Sequence, residues 1–235
     1  MIAVDLHVHT YHSPDSDTPV SAIAQACATT GIDCVAITDH NCIEGALELQ
    51  RAGAVRVIVG EEIRTTAGEL LGLFLSELVP PGLEPLETIA RVRAQGGLVC
   101  MPHPFSRWPV ARPFSLGYRN GSTFVPDGRL QRMNGLLTQN VLQAVDMIEV
   151  MNARTPFSSN LTAARHLAEL CSVPGTAGSD AHTAREIGRA RTEMAEFSDA
   201  GSFLEAMREA RVTGVQSSFL VHFSSTWVKL RRKAC

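Results

Sequence analysis

The 235-residue chain reads as an α/β protein of parallel layout and barrel size, and three observations predict this. Short apolar runs of β type alternate with longer stretches of helical character. Histidines and carboxylates fall just past those runs, where α/β barrels carry their functional groups. The 45% hydrophobic content over this length supplies one barrel-sized core and leaves no room for a second large one, so residues 1–235 read as one domain.

Residues 2–6 form the first predicted strand. Thr18 as N-cap and Pro19 at the first helical position then open a helix that stops at Gly31. Residues 33–37 are the second strand. Asn41, followed three positions later by Glu44, looks like a capping-box variant opening a helix that ends near Gly53. Strands follow at 56–59 and 70–75, then a helix from Glu84 to Gln95 and a strand at 98–101. A helix at 138–145, a strand at 146–150, a helix at 158–171, a short strand at 174–177 and a helix at 201–210 complete the pattern. About seven βα repeats result, a pattern that also permits an eight-stranded barrel. Residues 105–137 break the rhythm: rich in Gly, Pro and Arg and without periodicity, they have the profile of a lid or binding loop. The tail at 219–235 carries Lys229-Leu230-Arg231-Arg232-Lys233 and reads as a solvated basic end.

A net charge of −3 offers no broad basic field, which disfavours binding to long duplex nucleic acid. The six cysteines form no C-x-x-C pair, so they read as buried or reduced thiols of a cytoplasmic protein. The N-terminus runs straight into a strand, with no basic leader and no long apolar stretch. Neither export nor membrane spanning is expected. Nothing in the sequence fixes the oligomeric state.

The chemistry is concentrated in five short pieces. Asp5-Leu6-His7-Val8-His9 ends the first strand, and two histidines one residue apart on a strand point to the same side, where both imidazoles can hold one metal ion. Thr38-Asp39-His40 follows the second strand, Gly60-Glu61-Glu62 the third, and Pro102-His103-Pro104 the run 98–101. Gly178-Ser179-Asp180-Ala181-His182 closes the set. The ligand types are imidazole and carboxylate without thiolate, which suits Zn, Mn or Fe and a catalytic site better than a closed structural zinc.

In order and wording these pieces resemble the PHP (polymerase and histidinol phosphatase) superfamily, over about residues 2–192. The resemblance implies a distorted (β/α)7 barrel with two or three divalent metal ions. It assigns His7, His9, Glu62 and Asp180 to a first ion, with Glu62 bridging to a second that also takes His103. It gives the third ion His40, His182 and a side chain from the loop after the first motif, for which Asp15 is the choice and His12 the alternative. Many relatives place a histidine where this chain has Glu69, so a harder ligand to the second ion, the one that also takes His103, is expected there. His7, His9, Asp180 and His182 are the expected catalytic set. Glu62, by the G-x-E register, faces the metals while Glu61 points away. Asp39, Glu149 and Asn152 are expected to line or brace the site, and His166 and His222 to be structural.

Such an ion cluster lowers the pKa of bound water toward about 7 and neutralises phosphate oxygens, which makes phosphate-ester hydrolysis by a metal-activated hydroxide the natural reaction. Arg107, Arg112, Arg119 and Arg154 are the candidates for holding phosphate. The expected enzyme is a metal-dependent phosphatase acting on a phosphorylated small metabolite or a nucleotide. Family members also include 5′-exonucleases on short oligonucleotides and non-catalytic metal-binding PHP modules. A filled ligand set favours the enzyme, and the TDH and GSDAH pieces argue against a C–N or C–O hydrolase of similar shape.

Overall fold

A computed structural model describes residues 1–105, 134–218 and 220–234, and residues 117–119 and 122–124 by their backbone. Its strands are β1 (Ile2–Val8), β2 (Cys34–Ile37), β3 (Arg56–Arg64), β4 (Glu69–Leu73), β5 (Leu98–Met101), β6 (Gly117–Arg119), β7 (Ser122–Phe124), β8 (Met147–Asn152), β9 (Gly175–Gly178), β10 (Ala190–Met194) and β11 (Arg211–Gly214). The α-helices are α1 (Val20–Thr30), α2 (Glu44–Ala52), α3 (Pro85–Ala94), α4 (Gln139–Leu142), α5 (Ser158–Cys171), α6 (Ala200–Ala206) and α7 (Val221–Ala234).

The main sheet runs β11-β10-β1-β2-β3-β4-β5-β8-β9. It curls until β1 meets β9 through a single bridge between Val8 and Ala181, with His9 N–H donating to Ala181 O at 2.9 Å. Seven strands, β1 to β5 with β8 and β9, thus make a nearly closed barrel, as the distorted (β/α)7 expectation requires. Among the seven barrel strands one departs from the parallel rule. β4 is antiparallel to both β3 and β5, because Thr65–Gly68 makes a tight turn with no helix between the strands.

The core has two layers. Outside the sheet, Val35, Ile37, Val59, Val99 and Ile148 pack against helix faces such as Ile23 and Cys27 of α1 and Ala46 and Leu49 of α2. Inside, Val4, Leu6, Cys34, Ala36, Ile58, Leu73 and Cys100 fill the lower barrel, plugged by Phe197, Phe203 and Met207. Each fully buried aliphatic contributes about 1.5–3 kcal/mol, so the floor under the polar upper end is rigid.

The first strand changes sides partway along. Its register on β2 slips between Asp5 and Val8. Below the slip Val4 and Leu6 belong to the interior layer, whereas above it Val8 belongs to the outer one. The bulge therefore turns His7 and His9 inward, although Asp5 shares their sequence parity and faces the other way.

Several local readings change. Pro19, not Thr18, sits at the cap of α1, and the Thr18 hydroxyl donates instead to His182 O at 2.8 Å. Asn41 does not cap α2: it lies at φ 52° and its side-chain oxygen accepts from Arg64 N–H, leaving Ile43 at the cap. The helix expected at 138–145 shrinks to the single turn of α4, capped by Thr138. The hairpin β6–β7 falls within 105–137, and β10 and β11 are strands the periodicity did not announce. The tail forms the helix α7, and its arginines, though exposed as expected, are also held in place: Arg232 donates to Ser13 O at 2.6 Å and Tyr11 O at 2.9 Å, and pairs with Asp17 as Arg231 does. Its outer side exposes Phe223, Trp227 and Leu230. Cys27, Cys34, Cys42, Cys100 and Cys171 are free thiols. Among the described residues no helix is long and apolar enough to cross a membrane.

Candidate metal centre

At the upper end of the barrel, each inward-facing strand end delivers one or two polar groups. β1 brings His7 and His9, the turn after β2 brings His40, β3 brings Glu62, the residues after β5 bring His103, and the residues after β9 bring Asp180 and His182. Both His103 (φ 24°) and Asp180 (φ 53°) hold left-handed backbone conformations, which are costly for side chains with a Cβ. That cost is tolerated where it aims a functional group.

The ring nitrogens converge. His7 Nε2 and His9 Nε2 lie 3.1 Å apart, each 3.3 Å from Glu62 Oε2, and His9 Nε2 is 3.3 Å from Asp180 Oδ1. Glu62 reaches further: Oε1 meets His103 Nε2 at 3.1 Å and Oε2 meets His40 Nδ1 at 3.2 Å. Asp15 Oδ2 joins His40 Nε2 at 3.3 Å to His182 Nε2 at 3.1 Å. His12 turns instead to Glu48 on α2, at 3.0 Å, so of the two loop candidates the geometry brings Asp15 to the cluster.

Three of the imidazoles, those of His7, His9 and His182, are oriented from behind. His7 Nδ1 is 3.1 Å from Glu149 Oε1, and His182 Nδ1 is 2.8 Å from Asp180 O. His9 Nδ1 lies 3.0 Å from Ser13 Oγ, whose hydroxyl donates to Asp39 at 2.8 Å. Asp39 also accepts from Thr10 N–H and Thr10 Oγ1–H, both at 2.6 Å. With Nδ1 engaged, Nε2 is left to face the centre, as ligating histidines require. Asn152 donates to both Glu149 and Asp180, tying β8 to the late motif.

Small residues make this approach feasible. A Cβ on Gly178 would lie 2.3 Å from His7 Cβ and 2.6 Å from Glu149 Oε1; one on Gly45 would lie 2.2 Å from Asp39 Oδ2.

The electrostatics belong to a site built for cations. Burial pushes the carboxylates up, but nearby imidazoles overcome it and hold Glu62, Asp180 and Asp15 well below the usual range. Burial and the charge of His182 push His9 down to about 3, whereas for His40 and His103 the neighbouring Glu62 outweighs burial and lifts both to about 9. Burial raises Glu61 to about 7; it faces away from the centre and its Oε2 accepts from Val79 N–H.

Four groups have ligand atoms within 4.8 Å of one another: His7, His9 and Asp180; His7, Glu62 and His103; His9, Asp15, His40 and His182; and His40, Glu62 and Glu69. Imidazole nitrogens and carboxylate oxygens make up all of them. Asp15 Oδ1 is buried without a hydrogen-bond partner among the described residues, as a carboxylate shaped for an ion would be. The donor set fits divalent metal. Glu69 differs from expectation in its company: Oε1 stands 3.8 Å from His40 Nδ1, so it joins His40 and Glu62 rather than His103.

The arginines fare differently. Arg107 and Arg112 lie outside the described residues, as does the side chain of Arg119. Arg154 is buried with Nε 3.7 Å from Glu186 Oε1, and it donates to Val221 O and Ser225 Oγ at 2.7 Å. It therefore supports α7 from beneath instead of reaching over the metals as a phosphate clamp. Sequence reasoning missed Ser13, whose only signal was its place in the loop after His9. It also missed Lys229, whose Nζ is 2.8 Å from Asp15 Oδ2. His166 is half exposed on α5, 3.8 Å from Glu169 and away from the centre.

Residues 5–173 match the family model described as PHP domain, and residues 158–212 match the one described as PHP-associated. An uncharacterized protein of Methanocaldococcus jannaschii is 35% identical over 195 residues, which cover 83% of this chain and 71% of that protein. A second uncharacterized protein of the same organism is 45% identical over 115 residues, 43% of this chain and 67% of that one. Among solved structures, a two-domain protein from Bacteroides vulgatus, described as containing a predicted PHP-like metal-dependent phosphoesterase, superposes with a TM-score of 0.65 at 17% identity. The match covers 91% of this chain and spans 65% of that structure's chain.

Proposed function

Because the chain belongs to the PHP domain family, we propose that it is a metal-dependent phosphoesterase that hydrolyses the phosphomonoester of a small metabolite or nucleotide. The convergence of Asp15, Glu62 and Asp180 with His7, His9, His40, His103 and His182 carries this reading. His7, His9 and Asp180 would hold one ion, His103 a second and Asp15, His40 and His182 a third, with Glu62 shared and Glu69 at the edge. When bound, two or three divalent ions such as Zn, Mn or Fe supply an activated water and neutralise the phosphate oxygens.

The chain's own residues set the conditions. Glu149 and the Ser13–Asp39 pair fix His7 and His9, so each Nε2 is presented without reorganisation. His7 and His9 are fully buried, which keeps bulk water from the rear of the centre. In the reaction a water oxygen bonds to phosphorus, the bond from phosphorus to the alcohol oxygen breaks, and the proton released by water passes to the departing alcohol. The products are inorganic phosphate and the free alcohol.

Protein purified without chelator should hold more than one transition-metal ion per chain by elemental analysis and should hydrolyse a generic phosphomonoester. His9→Ala and Asp180→Ala should each lose at least about 100-fold in kcat/KM with far-UV circular dichroism unchanged, because the apolar floor does not involve them. Activity within threefold of the parent in both variants would overturn the assignment.

A further inference from the structure

Helix α7 stands against the metal centre, and its placement is over-determined. Arg154 holds its start through Val221 O and Ser225 Oγ. Arg232 and Arg231 hold its end on the loop that carries Ser13 and Asp17. Between these anchors two features face the site. Lys229 brings its ammonium 2.8 Å from Asp15 Oδ2, the oxygen shared by His40 and His182. Beside it lies a cavity of about 340 Å³ whose lining includes Asp15 and His182. Pro19 and Ala22 form one wall, Thr183 and Ala184 another, and Ser225 and Val228 of α7 the third.

We propose that α7 is the substrate-selecting wall of this centre: Ser225 and Val228 close a pocket for the leaving group of a phosphomonoester, and Lys229 holds its phosphate on the Asp15 side. This rests on the phosphoesterase reading above. The pocket's volume is at the small end of ligand sites, which run from about 300 to 1,000 Å³. It suits a compact alcohol or phenol and not an oligonucleotide. Its lining is mostly apolar with the hydroxyl residues Thr18, Thr183 and Ser225, and the carboxylate of Asp17 is matched by Arg231 and Arg232. An uncharged leaving group is therefore favoured over a cationic one, since Asp17 is already paired and Asp15 is engaged by His40, His182 and Lys229. A dianionic phosphate near Asp15 needs a compensating cation beyond the metals, and Lys229 is placed to supply it.

The test compares phenyl phosphate with methyl phosphate on the full, metal-loaded chain. Val228→Trp should fill the pocket and lower the phenyl-to-methyl ratio of kcat/KM at least tenfold. Lys229→Ala should raise KM for both esters about tenfold, with metal content by elemental analysis unchanged. Ala22→Phe narrows the same pocket from α1 and serves if Val228→Trp does not fold. An unchanged ratio in a folded variant overturns the pocket while leaving the phosphoesterase reading intact. A rise in metal content or rate in Lys229→Ala would make the lysine a blocker of the centre and overturn its assigned role. If the parent cleaves neither ester, the phosphoesterase reading falls, and calorimetry decides the pocket by itself. Phenyl phosphate binding tenfold tighter than inorganic phosphate, with the increment lost in Val228→Trp, supports it; equal binding overturns it.

Discussion

At the scale of single residues, Glu61 and Glu62 show how one step along a strand divides two chemistries. Glu62 is held ionised among imidazoles, whereas Glu61, fully buried on the opposite side of β3, is raised by burial from the ordinary 4.5 to about 7. A carboxyl raised on folding is protonated in the native state before it is in the unfolded one. Its contribution is therefore fully present below about pH 4.5 and lost as pH rises through about 7. Glu61→Gln removes that dependence. Between pH 4 and 8 the stability difference should move in the variant's favour by up to about 3 kcal/mol, read from urea unfolding at each pH. Parallel profiles would contradict this account. The G-x-E spacing made this division legible, and the histidines were legible because each lies within a few residues of its strand. The opposite facing of Asp5 was not, since a bulge between Asp5 and Val8 leaves no mark in a period-two pattern. Nor was the company kept by Glu69, which depends on where two strands meet.

At the scale of elements, strands and helices with strong apolar faces were read from the sequence, and those stabilised by distant partners were not. β10 reads Ala-Arg-Thr-Glu-Met, with polar residues at most positions, and becomes a strand by pairing with β1 and β11. In α7 the spacing of Phe223, Trp227 and Leu230 is helical, but the run of basic residues masked it. Those residues bind Asp15, Asp17 and backbone carbonyls more than 200 positions away in sequence, which no local pattern can announce. The packing of β9 on β1 leads to a prediction. Gly178→Ala would drive its Cβ into His7 and Glu149, separating the two strands where both carry ligands. A loss of about 3 kcal/mol together with loss of bound metal is expected, read by thermal melting and elemental analysis. Retention of both would mean that the strands yield without cost.

At the scale of the molecule, the α/β repeats were legible because they are local, but the pattern left seven and eight strands both open and the family resemblance supplied the seven; the closure was not legible, because it joins Val8 to Ala181, far apart in sequence. The centre lies at that seam, with buried carboxylates and imidazoles drawn from both sides. Ions that bind the native state alone stabilise it by mass action, so stripping metal with a chelator should lower the melting temperature by roughly 5–15 °C. Re-addition of the ion should restore it, and a melting curve indifferent to chelator would place the metals outside the fold's energetics. The seam also bears on the order of synthesis. A ribosome delivers His7 and His9 long before Asp180 and His182, which lie more than 170 residues downstream. Until β9 emerges and docks beside β1, the growing chain can complete only the groups His7–Glu62–His103 and His40–Glu62–Glu69, and those that take Asp180 or His182 must wait. A chain truncated before β9 would thus carry two of the four ligand groups and neither of those that draw on the late motif.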